Sequence, residues 1–155
     1  MRLAIGSDHA GYAAKEHLKR WLGEHGHDVV DLGTHGGASV DYPDFAAQVG
    51  RSVVEGEAPL GLLVCGTGIG MSIAANKIAG IRAAHCTDSY QARMARQHND
   101  ANVLCFGARV TGLGVMEDAL EAFLGHAFEG GRHAARVEKI QGLESKDPAT
   151  GRSGC

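Results

Sequence analysis

A chain of 155 residues with a formal net charge of −3 is long enough for one domain with an adequate core, and it offers no basic field for nucleic acid or an anionic membrane surface. Its 44% hydrophobic content is ordinary for a globular protein; no apolar run can span a bilayer and no charged head plus apolar signal opens the chain, so a cytoplasmic protein is expected. Cys65, Cys86, Cys105 and Cys155 are widely spaced with no C-x-x-C pair, which argues against a zinc site or a disulfide framework and leaves Cys86 and Cys105 as small buried hydrophobes.

Arg2 to Ser7 reads as a first strand. Tyr12 to Glu24 has helical spacing through Ala13, Leu18, Trp21 and Leu22, with Gly26 as its stop. His27 to Leu32 is a second strand ended by Gly33, and Thr34 to Tyr42 a polar loop. Pro43 suits the first position of a helix running toward Val54. Leu60 to Cys65 is the third strand, Gly70 to Lys77 a helix, Ile81 to Cys86 the fourth strand, Ser89 to Gln97 a helix and Asn102 to Phe106 the fifth strand. Gly114 to Phe128 and Arg132 to Leu143 read as closing helices, so residues 1–143 form a single domain and 144–155 a flexible polar tail. Strands alternating with helices predict an α/β fold whose parallel sheet is covered on both faces, with right-handed crossovers. Ligands of such sheets bind beyond the carboxyl ends of the strands. That rule gathers Asp8-His9, Cys65-Gly66-Thr67-Gly68 and the segment after Phe106 on one rim.

The run from Leu62 through Cys65 to Ser72 carries most of the chemistry. A thiol at a strand end, before N–H-rich backbone, is placed to be exposed and reactive as a thiolate and to take a proton beside a carbonyl. The other reading of Cys65 is a buried strand cysteine. Gly66, Gly68 and Gly70 let successive N–H groups face one point at a helix start, which suits a phosphate or a developing enediolate oxygen. The loop lacks the Gly-Lys-Ser/Thr ending of a Walker loop and the G-x-G-x-x-G dinucleotide pattern, so no nucleotide cofactor is expected.

Asp8-His9 pairs an acid with an imidazole able to handle hydroxyl protons and grip a phosphate; equally, Asp8 is a helix cap. His98-Asn99-Asp100 is a compact polar group before the fifth strand, facing a site or capping a turn. Arg132 and Arg136, four apart, would share a helix face as a phosphate clamp or as a solvated basic patch, and Arg109 follows the last strand. His17, His25, His27, His35, His126 and His133 read as surface or structural, with no metal-ligand geometry.

Taken together these blocks resemble the ribose-5-phosphate isomerase B family, in the wider group of sugar-phosphate isomerases that includes those acting on galactose 6-phosphate and allose 6-phosphate. The resemblance runs from about Arg2 to Leu143. It rests on Ser7-Asp8-His9-Ala10-Gly11, Asp41-Tyr42-Pro43, Cys65 through Lys77, Gly80-Ile81-Arg82-Ala83-Ala84, Arg96 through Leu104, Gly107-Ala108-Arg109 and Gly130-Gly131-Arg132-His133. It implies a cofactor-free, metal-free aldose–ketose isomerase of pentose phosphate metabolism with a Rossmann-like three-layer α/β/α sandwich around a five-stranded parallel sheet. The assembly it implies is a homodimer or tetramer with sites at the dimer interface.

By this resemblance Cys65 is the base and Thr67 its assistant, while amides of Gly66, Gly68, Ile69 and Gly70 hold the enediolate. Asp8 and His98 handle the sugar ring, with His98 opening it. Asn99 and Ser72 bind substrate, and Tyr42 lines the site. His9, Arg132, Arg136 and Arg109 hold the phosphate, and His98, Asn99 and Arg109 are expected to face the neighbouring subunit's site. One branch of the family uses a glutamate in the helix after the glycine turn; here that helix offers Ser72 and no glutamate, which fits the cysteine branch. The intact Asp-His-Ala-Gly and His-Asn-Asp blocks favour ribose 5-phosphate. An isomerase of allose 6-phosphate or galactose 6-phosphate is the alternative.

Overall fold

The computed structural model of the chain describes residues 1–144. The expected tail, Glu144 apart, and Cys155 lie outside the described residues. The elements follow in the order β1 (Arg2–Ser7), α1 (Tyr12–Glu24), β2 (Asp28–Asp31), α2 (Tyr42–Val54), β3 (Leu60–Cys65), α3 (Ile69–Ala75), β4 (Ala83–His85), α4 (Ser89–Asn99), β5 (Val103–Gly107), α5 (Leu113–Leu124), a 3₁₀ turn (Gly131–His133) and α6 (Ala134–Gln141).

The five strands form one parallel sheet in the order β2-β1-β3-β5-β4. The chain winds outward from β1 to β2, then returns to place β3 on the other side of β1. The crevice where the winding reverses therefore opens between β1 and β3, the usual ligand position in such sheets. Register sets Ser7 opposite Val64 and Cys65 opposite Gly107, so the ends of β1, β3 and β5 meet there.

Alternation along each strand supplies two cores. Leu62, Val64, Leu104 and Phe106 face α1, α4 and α5 with Leu18, Leu22, Ala92 and Phe123. Leu63, Cys65, Val103 and Cys105 face α2 and α3 with Val49, Val53 and Met71. Cys86 and Cys105 are buried as expected, and burial pushes the Cys86 thiol up to about 12 and that of Cys105 well above its usual range.

One charge is fully buried. Lys15 Nζ lies 2.7 Å from both Asp31 Oδ1 and Glu16 Oε1, and Lys19 Nζ joins the same carboxylates. Burial opposes ionisation of Asp31, but hydrogen bonds from Lys15, Lys19 and the Gly33 N–H outweigh it and bring its carboxyl down to about 2.

Three elements differ from the sequence reading in ways that matter. The fourth strand shrinks to three residues because Asn102 intercepts the backbone before it: its Oδ1 accepts the Arg82 N–H and its amide donates to the Gly80 carbonyl. The closing helix opens on a 3₁₀ turn and becomes α-helical late. Gly130 and Gly131 adopt φ of +63° and +53°, Arg132 sits in a 3₁₀ turn, and α6 begins only at Ala134. Arg132 and Arg136 thus do not lie on one α-helical face, and the α5 helix stops at Leu124 with Gly125 as its cap rather than at Phe128.

Helix direction places the remaining polar block. The α4 helix starts at its Asp88 cap beside the carboxyl ends of the strands, then runs back through 11 residues, about 16 Å. Its last residues arrive beside the starts of β4 and β5. There Arg82 donates to the Asp100 carbonyl and carboxylate, each at 2.8 Å, and Asp100 caps the helix at φ +46°.

Candidate active site

At the crevice, Gly68 makes the central contact. It takes φ +79°, a left-handed conformation that L side chains disfavour, and this turns its N–H back onto Cys65 Sγ at 3.1 Å. Cys65 is only 4% exposed, against the expectation of an exposed thiol. The reason is the strand period: residue 65 still belongs to β3, and its side chain points to the face that α2 and α3 cover. Thr67 is exposed, and its Oγ1 accepts the Ile69 N–H at 3.4 Å.

The first strand's turn is pressed against this loop. A Cβ at Gly11 would stand 2.4 Å from the Val64 carbonyl oxygen, so only glycine allows the close approach. Asp8 Oδ1 accepts the Gly11 N–H at 2.9 Å, and the Asp8 side chain is almost wholly buried. Asp8 is not the cap of α1, a position held by Gly11; its carboxylate instead holds the turn before the helix, at the end of β1 beside β3.

His9 Nδ1 accepts the Val40 N–H at 3.2 Å, which ties the 34–41 loop to the site. The neutral ring then carries its proton on Nε2. Tyr42, the first residue of α2, lays its ring against Gly70: a Cβ there would meet the ring at 2.7 Å. Ser72, in contrast, donates its hydroxyl to the Ile69 carbonyl of its own helix at 2.9 Å.

Arg109 follows β5 and is carried over the loop by its N–H, which donates to the Gly66 carbonyl at 3.0 Å. Its Nη1 lies 3.6 Å from where a Gly66 Cβ would be. Arg109 thus lies against its own chain's loop and is exposed.

A second cluster forms away from this rim, where α4 ends. His98 stacks on His133 with ring centroids 4.0 Å apart and planes 8° from parallel. Glu129 Oε2 lies 3.9 Å from His98 Nε2, and the Glu129 N–H donates to the Gln97 carbonyl at 3.0 Å, fastening the 126–131 segment to α4. Arg132 Nε makes a long hydrogen bond to His133 Nε2 at 3.5 Å. Burial, reinforced by the positive charge of Arg132 and Arg136 and opposed by Glu129, lowers the His133 pKa. Asn99, the last residue of α4, is exposed beside it, as are Arg132 and Arg136.

His98, Glu129 and His133 bring donor atoms within 4.8 Å of one another, the spacing of a metal site. Their geometry is against one. Imidazole lone pairs lie in the ring plane, and two stacked, near-parallel rings hold theirs parallel instead of converging on one ion. The Nε2 lone pair of His133 is also taken by Arg132.

The proposed residues therefore fall into two groups at opposite ends of the sheet. Asp8, His9, Tyr42, Cys65, the 66–70 loop and Arg109 share one rim; His98, Asn99, Arg132 and Arg136 gather at the other end. His133, which the sequence reads as surface or structural, is 7% exposed and stacked on His98. One histidine escapes the sequence reading. His85, at the carboxyl end of β4, packs its ring against Gly68, and its Nε2 is buried with no hydrogen-bond partner among the described residues. The strand-end rule that gathered Asp8 and Cys65 applies equally to His85.

Comparison with known proteins agrees over nearly the whole length. The family model described as Ribose/Galactose Isomerase matches residues 3–140. Ribose-5-phosphate isomerase B of Escherichia coli (strain K12) is 48% identical over 145 residues, 94% of this chain and 97% of that protein. Among solved structures, ribose-5-phosphate isomerase B of Clostridium thermocellum superposes with a TM-score of 0.93 at 53% identity, covering 94% of this chain and 99% of the other. The type B ribose 5-phosphate isomerase of Trypanosoma brucei gives 0.89 at 51% identity, covering 92% and 98%. No helix among the described residues is long and apolar enough to cross a membrane.

Proposed function

The chain belongs to the ribose/galactose isomerase family, and from that premise we propose that it interconverts D-ribose 5-phosphate and D-ribulose 5-phosphate with Cys65 as the base. The observation that carries the residue assignment is the Gly68 N–H aimed at Cys65 Sγ at 3.1 Å, at the strand end beside Asp8. That contact puts a backbone donor on the sulfur without filling the site with a competing side chain.

In this reading the aldose enters mostly as a closed furanose. His98, with Asp8, moves the hydroxyl proton that opens the ring. The Cys65 thiolate takes the proton from C2, leaving a cis-enediolate whose charge spreads over O1 and O2 and is held by loop amides and Thr67. The proton returns to C1, O2 becomes the ketone and O1 the hydroxyl. Two protons have moved, one from C2 to C1 and one from O2 to O1, and the net oxidation level is unchanged, so the chemistry requires no redox cofactor. His9 and Arg109 reach the phosphate from the rim that holds Cys65.

α4 carries His98 and Asn99 to the far end of the sheet from Cys65, and the Glu129 N–H on the Gln97 carbonyl holds the turn bearing Arg132 there too. In this reading a second copy supplies these residues, which makes a homodimer the smallest competent unit. Ile69 and Ile73, one turn apart on α3 and 53% and 56% exposed, give the rim an apolar flank for such a partner.

A coupled assay across pentose 5-phosphates and hexose 6-phosphates tests the proposal. Ribose 5-phosphate should be turned over fastest, and Cys65→Ala should lower kcat at least about 10²–10⁴-fold, the range of a lost acid–base group. Preference for a hexose 6-phosphate would overturn the substrate assignment, and near-normal turnover by Cys65→Ala would overturn the base.

A further inference from the structure

The His98 cluster contains one side chain that touches two functional groups at once. His133 offers its ring face to His98 and its Nε2 to Arg132. It comes from the 3₁₀ turn that the two left-handed glycines, Gly130 and Gly131, create, and that turn is pinned to the end of α4 by the Glu129 N–H on the Gln97 carbonyl. Unlike its exposed neighbours Arg132 and Arg136, His133 is buried. A buried residue flanked by exposed functional ones is built to hold them.

We propose that His133 is a positioning residue that sets the ring-opening imidazole of His98 and the phosphate-binding guanidinium of Arg132 in one fixed geometry. The inference rests on the functional reading above. The stack confines rotation of the His98 ring, so that its nitrogens meet the furanose at a constant angle. The Arg132 bond fixes where the phosphate lands relative to that ring. An acceptor on Nε2 requires the neutral tautomer with its proton on Nδ1, and burial beside Arg132 and Arg136 lowers the His133 pKa in that direction against the opposing pull of Glu129. The distance between ring opening and phosphate anchoring would then be set within one subunit, while the carbon acid chemistry is done by the other.

The two contacts can be removed separately. His133→Phe keeps a stacking ring but no acceptor. It should retain most of kcat and raise KM for ribose 5-phosphate about tenfold, with inorganic phosphate weakened as an inhibitor in parallel. His133→Gln keeps an acceptor but no ring. It should hold KM near wild type and lower kcat about tenfold. His133→Ala should show both defects.

A merely structural role would lower melting temperature and move kcat and KM alike in all three variants, and that pattern would overturn the proposal. So would wild-type kinetics in both His133→Phe and His133→Gln. The test is separable from that of the function: wild-type protein inactive on ribose 5-phosphate would remove the functional reading, whereas active wild type with unsplit His133 variants removes only the positioning role.

Discussion

Replacing Gly68 by alanine tests the loop on which the catalytic reading depends. Two costs follow from its surroundings. The backbone at φ +79° is left-handed, which costs an L residue about 1–2 kcal/mol. The added Cβ would lie 2.4 Å from His85 Cδ2, 2.8 Å from His85 Nε2 and 2.9 Å from the Phe106 carbonyl carbon. The imidazole can turn aside but the β5 backbone cannot, so overpacking adds about 1–3 kcal/mol. The total, about 2–5 kcal/mol, corresponds to a melting temperature lowered by roughly 4–20 °C for a domain of this size. Activity should fall further than stability alone explains, because moving residue 68 takes its N–H off Cys65 Sγ; loss of one such donor typically costs about 10²–10³ in kcat.

His85→Ala in the same background separates the terms. Truncating the ring removes the contact at 2.4 Å and leaves the left-handed cost and the Phe106 contact, so the double variant should regain about 1 kcal/mol by urea unfolding relative to additivity. A Gly68→Ala protein within about 0.5 kcal/mol of wild type, or strict additivity with His85→Ala, would refute the view that this loop is held closed by glycine against His85.

Three further expectations address the frame and the assembly. Asp31 has its carboxyl lowered from an ordinary 3.8 to about 2, so its contribution is complete above about pH 4 and is lost as pH falls toward 2; urea unfolding from pH 5 to 2 should show a drop on the order of 1 kcal/mol that Asp31→Asn lacks. Lys15→Met leaves Asp31 without its buried partner and should destabilise by about 3–5 kcal/mol, with Lys15→Met/Asp31→Leu recovering part of the loss in chemical denaturation; equal stability of wild type and Lys15→Met would show the pair to be dispensable. Cys65→Ala and His98→Ala proteins, each inactive alone, should regain about a quarter of wild-type activity when co-refolded in equal amounts, since half the dimers are mixed and each holds one intact site. No regain in that mixture would place Cys65 and His98 of one chain in the same site.

What could be read without coordinates was what is local. The sequence from Leu60 to Ser72 reads as strand, glycine turn and helix because each of those states leaves its own mark: an unbroken apolar run, closely spaced glycines, then helix formers. The same segment misled about Cys65 exposure, because a strand's last residue alternates like the rest and points wherever the period sends it. The break between the two closing helices is legible at Gly130-Gly131, but the 3₁₀ turn that opens the second is not. Two glycines can end a helix, start one or lie between two, and only their positive φ values reveal that Arg132 belongs to a turn and Arg136 to a helix.

The division of the site is a different kind of information, and it was available in principle. In a parallel α/β sheet every helix begins at the carboxyl ends of the strands and returns to their amino ends. A residue just after a strand, such as Asp8, Cys65 or Arg109, must lie on one rim; a residue at the end of the following helix, such as His98 or Asn99, must lie at the other. The rule sorts Arg109 with Cys65, and the coordinates place its guanidinium over Gly66. It also shows why a base and a ring-opening acid drawn from these two classes cannot meet within one chain of this length. If both act on one sugar, the fold itself requires two copies, and the buried His133 behind His98 is what would let one copy present a fixed acid to the thiol of the other.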